Sequence, residues 1–131
     1  MVFIKTQQSS GKHIGLKIIA EEIDSPAAFT AKILQKLVHS DLLDSVRGPH
    51  GGFKINEKFG PIYLRDIVES IDGDALLGQC VLGFKECSPD SPCAVHHKFS
   101  HIRSELKETL SKTTIDEIAG NVTSGSALLK L

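Results

Sequence analysis

The sequence predicts a mainly α-helical chain with a small β-hairpin, a winged helix-turn-helix followed by a long C-terminal dimerisation helix. Three observations predict it. Two segments with helical apolar spacing flank a Ser-Pro turn between Gly15 and Leu37. A glycine-rich hairpin follows them directly, ending at Ile55. Helical spacing then returns over a long stretch from His97, beyond a further helix and a cysteine-bearing loop. The chain divides accordingly into a winged helix-turn-helix over residues 1–73, a cysteine-containing loop over 74–96, and a dimerisation helix with its tail over 97–131.

The first element is a short helix over Val2 to Gln8, running into the loop Ser9-Ser10-Gly11-Lys12. Two turns are too few to be stable in isolation, so this helix depends on packing, and it reads as incomplete at its N-terminus. In the next segment Leu16, Ile19, Ala20 and Ile23 fall at i, i+3, i+4 and i+7, one apolar stripe of a helix. Asp24-Ser25-Pro26 restarts the chain. Ser25 suits an N-cap, and Pro26 suits the next position because the N–H it lacks would be unpaired there. The second helix is therefore expected from Pro26, with Phe29, Ile33, Leu34 and Leu37 inward and Ala27, Ala28, Thr30, Ala31 and Gln35 outward.

Leu42 to Val46 reads as a strand, Gly48-Pro49-His50-Gly51-Gly52 as a turn needing unusual backbone angles, and Phe53 to Ile55 as the returning strand. Gly60-Pro61 then breaks the pattern. Tyr63, Leu64, Ile67, Val68 and Ile71 repeat at helical spacing until Gly73, which predicts a core helix with a glycine stop. Residues 74–95 lose periodicity and collect three Cys. Unstructured loops longer than roughly 12 to 15 residues are usually functional or disordered. From His97 onward Phe99, Ile102, Leu106 and Leu110 form a stripe that needs a partner. The partner is either the chain's own first domain or a second copy of the chain, and the second is favoured because such helices space two half-sites. The Ser-, Thr- and Gly-rich tail from Gly120 is expected to fray.

A chain of 131 residues can bury roughly two-thirds of its unfolded surface, enough for a self-sufficient core. No apolar run approaches the roughly 18 residues of a membrane span, and Met1-Val2-Phe3-Ile4 ends at Lys5, unlike a secretory leader. The expected location is the cytoplasm, without a membrane partner. A net charge of −1 argues against bulk electrostatic binding of nucleic acid. The charge is nevertheless uneven: residues 1–58 carry eight Lys and Arg against six Asp and Glu, and residues 59–131 carry seven against ten. The positive half coincides with the helix-turn-helix, which points to double-stranded DNA. Small and amide side chains let the second helix enter a major groove, so Ser25, Ala27, Ala28, Thr30, Ala31 and Gln35 are its candidate contacts. Thr30 and Gln35 are the candidates for base edges. At the wing, Arg47, His50 and Lys54 can meet phosphate or a minor groove.

Cys80, Cys87 and Cys93 stand seven and six positions apart, and His96 follows at plus three. Three thiols and an imidazole make a four-ligand set. The spacing is not that of a zinc knuckle, although zinc remains open, and it favours an iron-sulfur cluster, whose core is larger than one ion. The other readings are a disulfide with one thiol left over and buried cysteines acting as small apolar residues. No phosphate-binding glycine loop and no spaced nucleophile-base pair is present, so an enzyme is not expected.

Taken together, the segments Phe29–Leu37, Ser45–Phe53 and Asp66–Gly73 and the cysteine loop resemble the bacterial regulators that include IscR, NsrR, RirA and CymR, the Rrf-two family. The resemblance covers Gly11 to Ala119. It implies a homodimeric winged-helix transcription factor, a repressor, whose long C-terminal helices cross and whose sensor loop holds a cluster that modulates DNA binding. Cys80, Cys87 and Cys93 would be the cluster ligands, 2Fe-2S in preference to 4Fe-4S, and His96 would match the histidine that IscR uses fourth. An aerobically prepared sample is expected to lack it, since exposed thiols oxidise. The family usually begins with a longer first helix, and members such as CymR carry no cluster. Two other functions fit the same sequence: a cofactor-free DNA-binding regulator controlled by a partner protein, and a metal-carrying interaction module with impaired DNA binding.

Overall fold

The computed structural model describes residues 1–8, 11–73, 75–80, 82–85 and 88–129. Its order is α1 (Val2–Gln7), α2 (Leu16–Glu22), α3 (Ala27–His39), the hairpin β1 (Leu43–Val46) and β2 (Gly52–Ile55), α4 (Leu64–Asp72), a short α5 (Ala75–Gly78), α6 (His96–Lys112) and α7 (Ile115–Thr123). This is the winged helix-turn-helix with a long C-terminal helix. Among the described residues no helix is long and apolar enough to cross a membrane.

The core is a cluster of aliphatic side chains, Ile4, Ile14, Ile19, Leu34, Leu37, Leu42, Leu43, Ile55, Ile62 and Ile115. Residues of α1, α2, α3, both strands and α4 form this cluster or pack against it, so the helix-turn-helix and the wing share one core. The antiparallel hairpin pairs Leu43 with Ile55 and Val46 with Gly52. Ile14 adds a third backbone ladder, exchanging hydrogen bonds of 2.9 Å in both directions with Phe53. Gly52 makes this approach possible. It adopts φ +149°, and a Cβ there would stand 2.3 Å from the Ile14 carbonyl oxygen, so only glycine lets the two backbones meet.

Two expectations about the reading helix are corrected. It starts one residue later than expected, with Pro26 at the N-cap and no capping side chain; Ser25 instead accepts a hydrogen bond from the Thr30 hydroxyl at 3.1 Å. The buried stripe is Thr30, Leu34 and Leu37 at i, i+4 and i+7, while Phe29 is 60% exposed and Ile33 half-buried. Thr30 can lie in the core because its hydroxyl also donates to the Pro26 carbonyl at 3.1 Å, satisfying itself within the helix. Ile23, expected on the buried stripe of α2, lies past that helix's end at its C-cap and is 45% exposed.

Helix α4 carries its expected stripe but buries none of it fully: Leu64, Ile67 and Ile71 are half-buried along an apolar groove of about 350 Å³ shared with Phe29 and Ile33. Its Tyr63 N–H donates to the Asp66 carboxylate at 2.8 Å, anchoring the first turn. Lys36 ties α3 to this helix by donating to the Ile71 carbonyl at 2.7 Å.

The tail differs most. Helical structure runs to Thr123, past the Gly120 at which fraying is expected, and belongs to a separate helix, α7. Thr114 caps it, accepting from the Glu117 N–H at 3.2 Å. Backbone hydrogen bonds from Leu64 to Thr113 (3.0 Å) and from Ile115 to Ile62 (2.9 Å) turn the chain back, and α7 packs on α1 with Lys5 and Asp116 paired at 2.6 Å. Ile115 is 1% exposed. Ile115→Ala leaves a cavity beneath both α1 and α7, and chemical denaturation is expected to show a loss of about 2–5 kcal/mol; a loss below about 1 kcal/mol would mean that α7 is not part of the cooperative unit.

Candidate functional site

The wing folds against the C-terminal half of α3, leaving a cleft of about 270 Å³ lined by Gln35, Val38, His39, Ser45, Val46, Arg47, Gly52 and Phe53. Gln35 and Arg47, from two different elements, therefore border one concavity. Of the residues expected to face DNA, Ala27, Ala28, Gln35, Arg47 and His50 are exposed, and Ser25, Ala31 and Lys54 are half-buried. Thr30 is the exception. At 3% exposure, with its hydroxyl engaged inside the helix, it cannot reach a base edge, and that assignment is withdrawn. The cleft also brings in His39, which sequence periodicity alone leaves as an ordinary surface residue. It sits one turn beyond Gln35, and an i, i+4 count from Gln35 locates it.

The second site lies where α5 leads towards α6. A cavity of about 420 Å³ is lined by Cys80, Phe84, Ser88, Ser91, Pro92, Cys93 and His96. Cys80 is buried, Cys93 half-buried and His96 buried, and both described thiols are reduced. Cys87 lies outside the described residues. His96 opens α6; its N–H donates to the Cys93 carbonyl at 3.0 Å, and its ring meets His97 edge to face at 5.4 Å between centroids. Cys93, just before α6, and His96, its first residue, are thus joined by one backbone hydrogen bond, while Cys80 arrives from the other end of the loop.

The sulfur of Cys80 accepts backbone N–H groups, first from Leu82 and then from Phe84, and these hold its thiol below the ordinary range. Burial pushes the other way, and a hydrogen bond with Cys93 and the charge of Arg103 on α6 add to the lowering. A sulfur in this setting is stabilised as an anion, the form in which cysteine binds metal or acts as a nucleophile. Among the described residues no three of His, Cys, Asp or Glu are gathered as a metal-binding group. The structure therefore brings together Cys80, Cys93 and His96 on one cavity without showing a complete ligand set.

Of the stripe expected at a dimer interface, Ile102 and Leu106 are 57% and 39% exposed, while Phe99 and Leu110 are half-buried. Helix α6 lies beside α4, and its apolar face is only partly covered by its own chain.

With this geometry in place, the comparison with known proteins is specific. A sequence profile of the Rrf2 family, described as an iron-dependent transcriptional regulator, matches residues 1–121. A putative HTH-type transcriptional regulator of Aquifex aeolicus is 35% identical over 103 residues, covering 76% of this chain and 71% of its own length. IscR of Xenorhabdus nematophila is 21% identical over 82% of this chain, and the match spans 65% of IscR. The chain thus spans a little under two-thirds of the IscR relatives. Among solved structures, CymR, the global cysteine regulator of B. subtilis, superposes with a TM-score of 0.70 at 23% identity, covering 89% of this chain and 86% of that one. IscR of T. potens gives the same TM-score at 18% identity, covering 96% and 82%. The two structures establish likeness of fold, and the family profile likeness of sequence over residues 1–121. The chain belongs to the Rrf2 family of transcriptional regulators.

Proposed function

We propose that this regulator is a cytoplasmic, homodimeric repressor that binds double-stranded DNA, and whose operator affinity is modulated at the cysteine loop by an iron-sulfur cluster or by thiol chemistry. The observation that carries the reading is the convergence of Cys80, Cys93 and His96 on one cavity at the start of α6. The loop that lines it joins, along the chain, the head that would read DNA to the helix whose exposed Ile102 and Leu106 call for a second copy. Ordering the loop would bias the placement of one against the other, and a ligand shifts such an equilibrium only by its differential affinity for the two arrangements.

The donor chemistry fits a cluster. Thiolates are its usual ligands, and N–H groups aimed at a ligand sulfur, as Leu82 and Phe84 are at Cys80, are among the features that tune its potential. Cys80, Cys93 and His96, with Cys87, are the residues that would hold it; when bound, such a cluster supplies one-electron chemistry and sensitivity to oxidants. The protein's own part is to favour the anionic form of Cys80 through the Leu82 and Phe84 N–H groups and to place His96 at the start of α6 beside the same cavity.

DNA would be met by α3 and the wing together. Gln35 is suited to the N6 and N7 edge of adenine, with Ala27, Ala28 and Ala31 allowing close approach. Arg47, His50 and Lys54 would contact the backbone or the minor groove, and Ser25 would lie at the phosphate beside the α3 N-terminus.

Three measurements test this reading. Against DNA selected from a random-sequence library, Gln35→Ala should cost about 1–3 kcal/mol on the selected site only, whereas Arg47→Ala should weaken all sequences and lower the salt slope by about one; the reverse pattern would exchange the two roles. Sedimentation should show a dimer at tens of micromolar that Leu106→Asp dissociates, and a wild-type monomer would remove the homodimer. Anaerobic reconstitution with iron and sulfide, beside Cys87→Ala and His96→Ala, should load wild type preferentially and change its affinity for the selected DNA. Protons compete with metal for sulfur, so the lowered thiol of Cys80 should let loading persist as pH falls through the ordinary thiol range. Equal loading of wild type and Cys87→Ala, or loading without effect on DNA, would leave the cofactor-free regulator in its place.

A further inference from the structure

We propose that Lys36 is a positioning residue that couples the reading helix to the point where the cysteine loop departs. Its ammonium, seated on the C-terminal end of α4, passes displacements of that end to α3. The proposal deepens the proposed regulation and rests on that reading for its effect on DNA, while the tether itself stands on geometry alone.

Helix α3 presents two separate faces to its neighbours. Gln35, Val38 and His39 border the wing cleft. Phe29, Ile33 and Lys36 fall at i, i+4 and i+7 on a second face, and the first two border the apolar groove that α4 lines with Leu64, Ile67 and Ile71. Lys36 continues that row towards the end of α4, where its Nζ donates to the Ile71 carbonyl at 2.7 Å. Two adjacent residues therefore serve two neighbours, Gln35 the wing cleft and Lys36 the end of α4.

The acceptor explains why a cation belongs there. Helix α4 ends at Asp72, so the Ile71 carbonyl is among the last four of its helix and lacks a donor from a following turn. An ammonium supplies that donor and also opposes the partial negative charge at a helix C-terminus. The Gly73 N–H donates to the Glu69 carbonyl at 3.0 Å, and Gly73 then turns the chain with φ +69°. The cysteine loop begins at this turn, two residues beyond the carbonyl that Lys36 holds.

Apolar packing does not fix α3 on α4 by itself. Phe29 is 60% exposed, and Ile33, Ile67 and Ile71 are only half-buried along the groove. Such contacts are non-directional, whereas a hydrogen bond has a preferred distance and angle. Lys36 thus sets where α3 sits along α4. Helix α4 also lies against α6, on which the cysteine loop ends, so the helix that carries Ile71 is in touch with both ends of the loop and with the reading helix.

The test uses the full chain, metal-free and reduced, with amide hydrogen exchange as the first readout. Lys36 is exposed, so its substitution leaves the core intact. Lys36→Met keeps an unbranched stem and removes the donor; Lys36→Arg keeps a donor. Loss of one hydrogen bond should speed exchange of the Gly73 amide about two- to tenfold in Lys36→Met, and Lys36→Arg should restore it. Gly73→Ala perturbs the departure of the loop without touching Lys36, because the added Cβ meets open space but the φ +69° backbone is strained. In wild type it should speed exchange of the Ser40 amide, which donates to the Lys36 carbonyl at 3.1 Å; in the Lys36→Met background it should have no such effect. An equal effect of Gly73→Ala in both backgrounds overturns the coupling. Against DNA selected with wild type, Lys36→Met should weaken binding by a similar factor with an unchanged salt slope. A slope lowered by about one, with normal exchange at Gly73, makes Lys36 a phosphate contact and overturns the proposal. If the exchange results hold and no DNA is selected, the tether stands and the DNA-binding reading falls.

Discussion

The fold depends on a short backbone crossing at which Ile62 and Leu64 meet Thr113 and Ile115. One hydrogen bond pins the start of α4 to the end of α6, and the next pins Ile115 to Ile62, delivering its side chain into the common core. Without the crossing, α6 would be a free arm. With it, α4 leaves the crossing and α6 returns to it, so the two helices lie side by side and everything between them must be spanned by residues 73–95. At about 1.5 Å per residue, α6 with 17 residues outruns α4 with nine by roughly 12 Å. Cys80 and Cys93 line one cavity with His96, the first residue of α6.

The same crossing makes α7 a support for α1. A helix of six residues has too few internal hydrogen bonds to persist alone. Ile4, Ile115 and the Lys5–Asp116 pair hold it against α7, and the buried Ile4 then closes the core beneath α3 and the hairpin. The exposed ion pair adds little energy; burial of the two isoleucines is the larger effect. The reading head is thereby tied to the far end of the chain, and any displacement of α6 is felt at both α4 and α1.

Chemistry follows from how each region treats its polar groups. In the wing, glycine removes the side chains that would hold backbones apart, so Ile14 and Phe53 can pair and the hairpin stands rigidly over the cleft that holds Gln35 and Arg47. In the thiol pocket, the backbone supplies donors instead. Leu82 and Phe84 stabilise negative sulfur at a position where burial would otherwise disfavour it.

Periodicity and glycine placement were enough to determine the order of elements from α1 to α4, the hairpin and its turn, and the helix-turn-helix, because local spacing and backbone permissiveness act over a few residues. The cysteine set stood out by residue type alone. Which face of α3 is buried was not legible, since Thr30 reads as polar until its hydroxyl is seen to be satisfied by Pro26 and Ser25 within the helix. Phe29 correspondingly reads as core and lies outside. Helix α7 carried a legible start in Thr114-Ile115-Asp116-Glu117, a capping pattern obscured by the small polar residues after it. Tertiary structure alone decided that this helix returns to α1, that His39 joins the wing cleft, and that Cys80 and Cys93 line one cavity. Those outcomes join residues far apart in sequence, and they are settled by which apolar faces can be buried together rather than by any local pattern.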